Sequence, residues 1–379
     1  MRIIFTILVC LFVRLLPAQH MVHLRVDSLP PEPKTLDLYI AGSFNGWNPG
    51  DEKYMFQRMG NGQFYLDLNL PDGIHEFKIT RGSWKETECK ADGSDRPNRV
   101  LKVTKEETVI LNIQAWKDAF PEQNIPHTAS KQVRVVDTAF YIPQLKRKRR
   151  VLIYLPEDYA TSRKRYPVLY MHDGQNLFDQ ATSFSGEWGV DEYMDTTRAG
   201  KCIVVGVDNG GQKRVNEYCP YDFSPDGKTV KDNTGEGQQY VDFLAKTLKP
   251  YIDKRYRTKK ESRNTFISGS SMGGLISLYA IIRYPDVFGG AGVFSPSVWI
   301  CKDELLQLIG KRGTKVKGRV YFYCGKKEGP GMVPNTLLTF EKLAAVSKAR
   351  ITTVIRDEGT HNEAVWRKEF PLFYEWIMN

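Results

Sequence analysis

The chain has 379 residues, which predicts at least two domains, because one compact core seldom grows to that length. Hydrophobic residues make up 41% and charged residues 26%, which excludes collagen-like, disordered and multi-span membrane proteins. The formal net charge is +10, but part of the excess is the run KRKRR at residues 146–150, and no nucleic-acid recognition motif accompanies it. We therefore predict no nucleic-acid partner.

The N-terminus has the pattern of a secretory signal. Arg2 precedes an apolar run over residues 3–13, and small residues follow near Ala18. The run is too short to span a bilayer, and Arg14 interrupts the segment. We predict a signal peptide over residues 1–20, export to the periplasm or out of the cell, and no stable membrane span.

The cysteines that follow this signal are scattered, odd in number and without CxxC spacing. They are Cys89, Cys202, Cys219, Cys301 and Cys324. Such a set predicts neither a disulfide framework nor a zinc site. We expect no metal and no organic cofactor.

Short alternating strands broken by turns follow a proline-rich segment at residues 29–34. Their patterns are LDLYIAG, QFYLDLNL, IHEFKIT, RVLKV and TVILNI. Asn-Gly at 61–62 and Asp-Gly at 72–73 indicate hairpins, because glycine adopts the positive φ that such turns need. We predict an immunoglobulin-like β-sandwich over residues 28–115 and a linker over residues 116–133.

Continuous apolar strands then alternate with helix-like segments to the end of the chain. The strand patterns are RVLIYLP, PVLYMHD, CIVVGVD, NTFISGS, AGVFS, RVYFYCG and ITTVIRD. Strands that are apolar on both faces are typical of a buried parallel sheet. We predict an α/β domain with a doubly wound, mostly parallel sheet over residues 134–379.

The sequence GSSMGG at residues 269–274 lies between a strand and an apolar helical segment. G-x-S-x-G in this context is the nucleophile elbow, in which small neighbours permit a sharp turn. The N-terminus of the following helix favours negative charge that develops beside the serine. The pattern predicts that Ser271 is a nucleophile.

The base and the acid of a triad are expected after the nucleophile in the chain. His361 is the one histidine that follows Ser271, and it comes just after the last predicted strand. Glu328, in the loop after the preceding strand, is the predicted acid, and Asp357 remains an alternative. His172 precedes Ser271 and ends an early strand, so we predict a structural role for it.

Two backbone N–H groups are expected to bind the oxyanion of an acyl-transfer reaction. One belongs to Met272, the residue after the nucleophile. The other belongs to Gln175, which follows an early strand and a glycine that permits close approach.

Three separated motifs resemble the “Putative esterase” family of α/β hydrolases: YPVLYMHDGQNLF at 166–178, GSSMGG at 269–274 and GTHNEAVWRKEFP at 359–371. That family includes esterase D, feruloyl and acetylxylan esterases, enterochelin-type siderophore esterases and mycolyltransferases. The resemblance implies an α/β-hydrolase fold, a triad and two oxyanion amides. The residues concerned are Ser271, Glu328, His361, Gln175 and Met272. It also implies substrate-pocket residues, for which loop packing is the alternative: Trp188, Arg214, Glu217 and Tyr218.

The N-terminal strands resemble a family-48 carbohydrate-binding module, similar to the glycogen-binding domain of AMP-activated kinase beta subunits. GSFNGW at 42–47 matches the family's strand-to-turn motif, and HEFK at 75–78 matches the next hairpin. The resemblance implies two tryptophans that stack on sugar rings, with a lysine and an asparagine that bind hydroxyls. These are Trp47, Trp84, Lys78 and Asn98. A docking domain that binds no sugar is the alternative.

These features together predict an exported serine ester hydrolase. Its expected substrates are feruloyl or acetyl esters of polysaccharides, with a possible glycan bound at the N-terminal module. A siderophore esterase of the enterochelin type is the second interpretation, and a catalytically inert glycan-binding protein is the third. We make no prediction of oligomeric state from the sequence.

Overall fold

The computed structural model describes residues 18–30, 37–60, 62–121, 125–184, 186–224 and 233–379. The chain divides into two compact units, Met1–Glu122 and Gln123–Asn379. Residues 1–17 of the predicted signal peptide lie outside the described residues. In the described ranges, no helix has both the length and the apolar character needed to cross a membrane.

The N-terminal unit is all-β, as predicted. Its strands are β1 (Gln19–Ser28), β2 (Tyr39–Gly42), β3 (Gln57–Arg58), β4 (Phe64–Pro71), β5 (Gly73–Thr80), β6 (Glu88–Cys89), β7 (Arg99–Val103), β8 (Glu107–Asn112) and β9 (Ala115–Trp116). They form sheets of order β3-β4-β1-β8, β2-β5-β7 and β6-β9. Alternate residues of β4, Phe64 and Leu66 among them, are buried while their neighbours face outward, which is the two-residue period of a half-buried strand.

The N-terminal unit begins earlier than the predicted boundary at residue 28. Strand β1 starts at Gln19 and lies between β4 and β8, antiparallel to the first and parallel to the second. Val22 and Leu24 of this strand have no exposed surface. Residues 19 and 20 therefore belong to a sheet, and the signal peptide over residues 1–20 stays a prediction.

The predicted linker over residues 116–133 is also structured where it is described. Trp116 is buried in the core of the N-terminal unit. In the C-terminal unit, the N–H groups of Thr128 and Ser130 donate to the carboxylates of Asp179 and Asp191, at 3.2 and 2.7 Å. These hydrogen bonds place Thr128 and Ser130 in the C-terminal unit.

The C-terminal unit contains one eight-stranded sheet. Its strands are β10 (Val133–Ile142), β11 (Arg147–Tyr154), β12 (Val168–His172), β13 (Ile203–Val207), β14 (Thr265–Ser270), β15 (Gly290–Phe294), β16 (Arg319–Gly325) and β17 (Arg350–Arg356). The sheet order is β10-β11-β13-β12-β14-β15-β16-β17, with antiparallel pairing at β10-β11 and β11-β13 and parallel pairing elsewhere. The predicted mostly parallel sheet is confirmed.

Helices cover both faces of this sheet. They are α1 (Val190–Thr196), α2 (Arg214–Tyr218), α3 (Gly237–Phe243), α4 (Lys249–Arg255), α5 (Met272–Arg283), α6 (Lys302–Arg312), α7 (Met332–Val346) and α8 (Glu363–Met378), with a π-helical segment, Leu244–Leu248, joining α3 to α4. Alternate residues of β12, such as Leu169 and Tyr170, belong to two separate apolar clusters. One cluster contains residues of α5 and the other residues of α8, so these two helices pack on opposite faces.

The parallel strands place their carboxyl ends along one edge of the sheet. In open α/β sheets the crevice outside these ends is where ligands bind. The segments that follow β12, β14, β16 and β17 carry all the predicted catalytic and oxyanion residues. This edge is the candidate active site.

Candidate active site

Ser271 occupies a strained turn between β14 and α5. Its backbone has φ 59° and ψ −120°, a positive-φ conformation that non-glycine residues seldom adopt. The Ser271 N–H donates to the Phe294 carbonyl at 2.9 Å, which fixes the turn against the end of β15. A Cβ at Gly274 would lie 2.6 Å from that carbonyl oxygen, so the requirement for small neighbours is steric. The turn presents a partly exposed serine at the helix N-terminus.

Glu328 and His361 form a hydrogen-bonded pair. His361 Nδ1 lies 2.7 Å from Glu328 Oε2, and because a carboxylate only accepts, the imidazole proton sits on Nδ1. The other carboxylate oxygen, Oε1, accepts from the Gly325 N–H at 2.6 Å and the Ser295 hydroxyl at 2.8 Å. Ser295 in turn accepts from the Trp366 indole N–H at 3.0 Å. The Glu328 side chain has 0% exposure, so its orientation is fully determined by these donors.

Asp357, the alternative acid, lies elsewhere. Its side chain is 77% exposed and pairs with the Lys326 ammonium at 2.8 Å. The structure thus brings Glu328 to His361, and leaves Asp357 in solvent.

The serine and the Glu328–His361 pair meet at the end of β15. That strand end binds the Ser271 N–H, and the next residue, Ser295, binds Glu328. The Ser271 hydroxyl lies 3.1 Å from the Ser297 hydroxyl, and within the described ranges no hydrogen bond joins it directly to His361. Catalytic hydrogen bonds are often long without substrate and shorten when it binds.

The predicted oxyanion residues lie on two rigid elements. Met272 is the first residue of α5, where the N–H has no partner in a preceding turn. Gln175 lies on a short 3-10 helix after β12, and its side-chain oxygen accepts from the Asn209 N–H at 3.2 Å. Just before it, Asp173 accepts from Arg214 Nε at 2.6 Å and from Asn209 Nδ2 at 2.7 Å. Burial alone would raise the pKa of Asp173, but the Arg214 charge and these hydrogen bonds hold it below its usual value.

His172 packs beneath the turn that carries Ser271. It is buried, with Nδ1 3.0 Å from the Tyr240 hydroxyl, and its ring borders Gly269, where a Cβ would lie 2.9 Å from Cδ2. Burial lowers the pKa of His172 to about 3, so the ring is neutral at physiological pH. These contacts fit the predicted structural role.

Three of the four predicted substrate-pocket residues are buried in this structure. Trp188 is 3% exposed and stacks on Trp366 with ring centroids 5.8 Å apart. Glu217 and Tyr218 have no exposed surface, and Glu217 pairs with arginines of β11. The assignment of these three residues to the substrate pocket stays a prediction. The Arg214 side chain is 25% exposed, and its guanidinium forms an ion pair with Asp173, two residues before Gln175.

The predicted sugar-binding residues lie on and beside the β2-β5-β7 sheet of the N-terminal unit. Trp47 and Trp84 are both partly exposed, with ring centroids 6.4 Å apart and 34° between the ring planes. The Lys78 ammonium donates to a backbone carbonyl at 2.6 Å, and the Asn98 amide donates to a glutamate carboxylate at 3.0 Å. The structure thus brings the two tryptophans together.

Sequence reasoning missed Glu363 in the active site. It is the first residue of α8, two positions after His361, and its carboxylate accepts from Asn176 Nδ2 at 3.3 Å. Burial raises the pKa of Glu363 to about 7, and the nearby Asp173 charge adds to this. In the sequence, the one indication of a role for Glu363 is its place two residues after the predicted base, in His361-Asn362-Glu363. Ser295 and Ser297 were also missed, although they follow a predicted strand.

Glu363→Gln is expected to stabilise the protein at alkaline pH. The folded-state pKa is above the unfolded value, so the native state binds the extra proton, and stability falls as pH rises from about 4.5 to about 7. Glutamine keeps a neutral acceptor for Asn176 and abolishes this loss. We expect a gain of about 1–3 kcal/mol at pH 8 and little at pH 4.5, measured by denaturant unfolding at both values. An equal effect at both pH values would contradict the prediction.

Sequence comparison matches residues 142–373 to the family described as “Putative esterase”. The uncharacterized protein YbbA of Bacillus subtilis is 25% identical over 240 residues, covering 60% of this chain and 92% of YbbA. An endo-1,4-beta-xylanase/feruloyl esterase of Xylanibacter ruminicola is 24% identical over 221 residues, covering 57% of this chain and 27% of that protein. An alpha-amylase of Niallia circulans is 38% identical over 104 residues, covering 27% of this chain and 8% of the amylase. This chain therefore spans only a minor part of the last two relatives.

Two solved structures resemble the fold. The BES protein from Bacillus cereus has a TM-score of 0.54 at 19% identity, covering 68% of this chain and 98% of that one. The enterobactin esterase FES from Shigella flexneri has a TM-score of 0.53 at 15% identity, covering 90% of this chain and 87% of that one. At these identities the likeness concerns the fold alone, and it agrees with the α/β-hydrolase architecture described above.

Proposed function

We propose that this chain, which belongs to the “Putative esterase” family and is an esterase, hydrolyses carboxylic esters. In the proposed mechanism Ser271 is the nucleophile, His361 the base and Glu328 the acid. One observation carries this proposal. The imidazole that follows the strained serine in the chain is hydrogen-bonded to a fully buried carboxylate at the same sheet edge. That is the Ser-His-acid arrangement of acyl-transfer enzymes.

The geometry supports a two-step acyl transfer. His361 Nε2 takes the proton of the Ser271 hydroxyl as the oxygen attacks the ester carbonyl, and the oxyanion is bound by the N–H groups of Gln175 and Met272. His361 then gives its proton to the leaving alcohol. Water, deprotonated by the same imidazole, then attacks the acyl-enzyme, and the imidazolium returns the proton to the Ser271 oxygen as the carboxylic acid leaves. Glu328 fixes the tautomer and stabilises the imidazolium that forms in both steps.

The proposed substrates are feruloyl or acetyl esters of polysaccharides. The endo-1,4-beta-xylanase/feruloyl esterase relative supports this choice. The paired indoles of Trp47 and Trp84 also support it, because two adjacent aromatic faces suit the C–H faces of sugar rings. We further propose export, on the pattern of residues 1–17, which lie outside the described residues.

Trp47→Ala is expected to weaken retention on insoluble xylan or glucan by roughly fivefold or more, because one stacking surface is lost. Hydrolysis of p-nitrophenyl acetate should not change, since Trp47 lies in the N-terminal unit. Ile110→Ala, an exposed residue of β8 in another sheet, is the matched control and should retain binding. Retention unaltered by Trp47→Ala would favour a docking domain that binds no sugar.

A siderophore esterase is the second candidate. The likeness to FES supports it, because that match extends over 90% of this chain, and FES is described as an enterobactin esterase. Turnover of methyl ferulate and acetylated xylan, measured beside a ferric catecholate trilactone, separates the two substrate classes. Labelling of Ser271 by a fluorophosphonate would exclude the catalytically inert glycan-binding protein.

A further inference from the structure

A basic cavity lies on the C-terminal unit, away from the active site. Its volume is about 660 Å³. We define it by its five cationic side chains, Arg165, Lys254, Arg255, Arg257 and Lys260. Asp253 is the single acidic residue of the lining.

This cavity is at the opposite edge of the sheet from Ser271. Arg165 precedes β12, and Lys260 precedes β14, so both lie at the amino ends of parallel strands. Ser271 follows the carboxyl end of β14. A strand of 6 residues separates the two edges by roughly 20 Å at about 3.3 Å per residue. A ligand in the cavity is therefore distinct from the ester bound at the nucleophile.

The cationic charge of the cavity is not neutralised by the protein. Within the described ranges, none of the five cations has a carboxylate oxygen within 4.0 Å. The one acidic residue is already engaged, because Asp253 accepts from Lys249 Nζ at 2.6 Å and from the Thr258 hydroxyl at 2.7 Å. Uncompensated like charges around a concave surface produce a positive potential that attracts anions.

The guanidinium groups of the cavity are held in place. Arg165 donates to the Thr258 carbonyl at 3.3 Å. Arg257 lies 3.8 Å from the centroid of the Tyr159 ring, and Arg255 lies 4.5 Å from that of Tyr251. A guanidinium has five N–H donors, so each retains donors for a ligand. These contacts restrict the three arginines before a ligand binds, which lowers the conformational entropy that anion binding costs.

We propose that the basic cavity binds the carboxylate groups of an acidic polysaccharide. A guanidinium matches a carboxylate with two parallel N–H···O hydrogen bonds. One feature disfavours nucleic acids: the rings of Tyr159 and Tyr251, which would stack on bases, each carry an arginine over one face. Binding to anionic lipid is an outcome of the test that would overturn the proposal.

The test compares two double variants that change the net charge equally. Lys254→Glu/Lys260→Glu reverses two cations of the cavity, whereas Lys342→Glu/Lys348→Glu reverses two exposed lysines of α7 and the segment after it. Affinity electrophoresis through polygalacturonate at low ionic strength gives an apparent Kd. We expect the cavity variant to bind about tenfold or more weakly and the control to change by less than about twofold, with wild-type binding lost near about 0.5 M salt. Hydrolysis of p-nitrophenyl acetate should stay unchanged in both.

Several outcomes would overturn the proposal. These are no retardation of the wild type, equal weakening in the two double variants, or tighter binding to single-stranded DNA or to phosphatidylglycerol vesicles than to polygalacturonate. If the glutamate variant does not fold, Lys254→Gln/Lys260→Gln removes the charges without reversing them. Ser271→Ala should bind polygalacturonate like the wild type, so the proposal stands or falls separately from the ester-hydrolase function.

Discussion

Ser271→Ala is expected to lower the kcat of p-nitrophenyl acetate hydrolysis by about a million-fold. In the proposed mechanism the Ser271 hydroxyl forms the acyl-enzyme, and loss of a triad nucleophile removes nearly all of the catalysis that a triad supplies. The fold should persist, because alanine retains the Cβ and, among the described residues, the hydroxyl is hydrogen-bonded to Ser297 alone. Initial rates and thermal midpoints of both proteins provide the measurement.

Ser297→Ala is the matched control for this change. It removes the same 3.1 Å hydrogen bond but leaves the nucleophile, so activity should remain within about tenfold of the wild type. A fluorophosphonate should label Ser297→Ala and not Ser271→Ala. Wild-type rates in Ser271→Ala would rule out the proposed nucleophile.

Glu328→Gln is expected to lower kcat by about 10³ to 10⁴. The amide that replaces Oε2 can present an N–H toward His361 Nδ1, which disfavours the tautomer that leaves Nε2 free as base. It also withdraws the negative charge that stabilises the imidazolium. In the double variant Ser271→Ala/Glu328→Gln, the loss of kcat should be close to that of Ser271→Ala alone, because the members of a triad act together.

Asp357→Asn is the control for the acid. This carboxylate is exposed and pairs with Lys326, so we expect a change of less than about twofold in kcat. A larger loss in Asp357→Asn than in Glu328→Gln would show that the acid is misassigned. Circular dichroism of both variants would verify that the fold is retained.

The predictable part of the structure rests on local patterns. The role of Ser271 could be predicted from the sequence because the steric demands of its turn involve its sequence neighbours, namely the glycines of GSSMGG. The strands of the C-terminal unit could be predicted because burial on both faces makes the sequence of each one continuously apolar. His361 and Glu328 followed from the chain order that parallel strands impose on the loops at one edge.

The first strand was missed because two patterns overlap near residue 20. The predicted signal, residues 1–20, includes the first two residues of β1, and Val22 and Leu24 continue the apolar character of the region. The alternation with outward-facing His23 and Arg25 was present, but the partners that define β1 as a strand lie 38 or more residues away in β4 and β8, since the nearest pair is Val26 with Phe64.

The supporting residues of the site were missed because their contacts are long-range. Ser295 and the Trp366 that binds it are 71 positions apart, and Asn176 and Glu363 are 187 apart. No local composition distinguishes Ser295 from any serine after a strand. Trp188 was assigned to the pocket by resemblance to the esterase family, and in this structure it is buried in an apolar cluster.

Helix α8 links the proposed catalytic base to the packing of the sheet. Its residues Phe370 and Phe373 fill one face of the sheet, Trp366 binds Ser295, and the segment just before it carries His361. Under the proposed mechanism, a chain made only through α7 would hold Ser271 and Glu328 but neither the imidazole nor the apolar layer of α8. Docking of that layer and assembly of the proposed triad would therefore occur together.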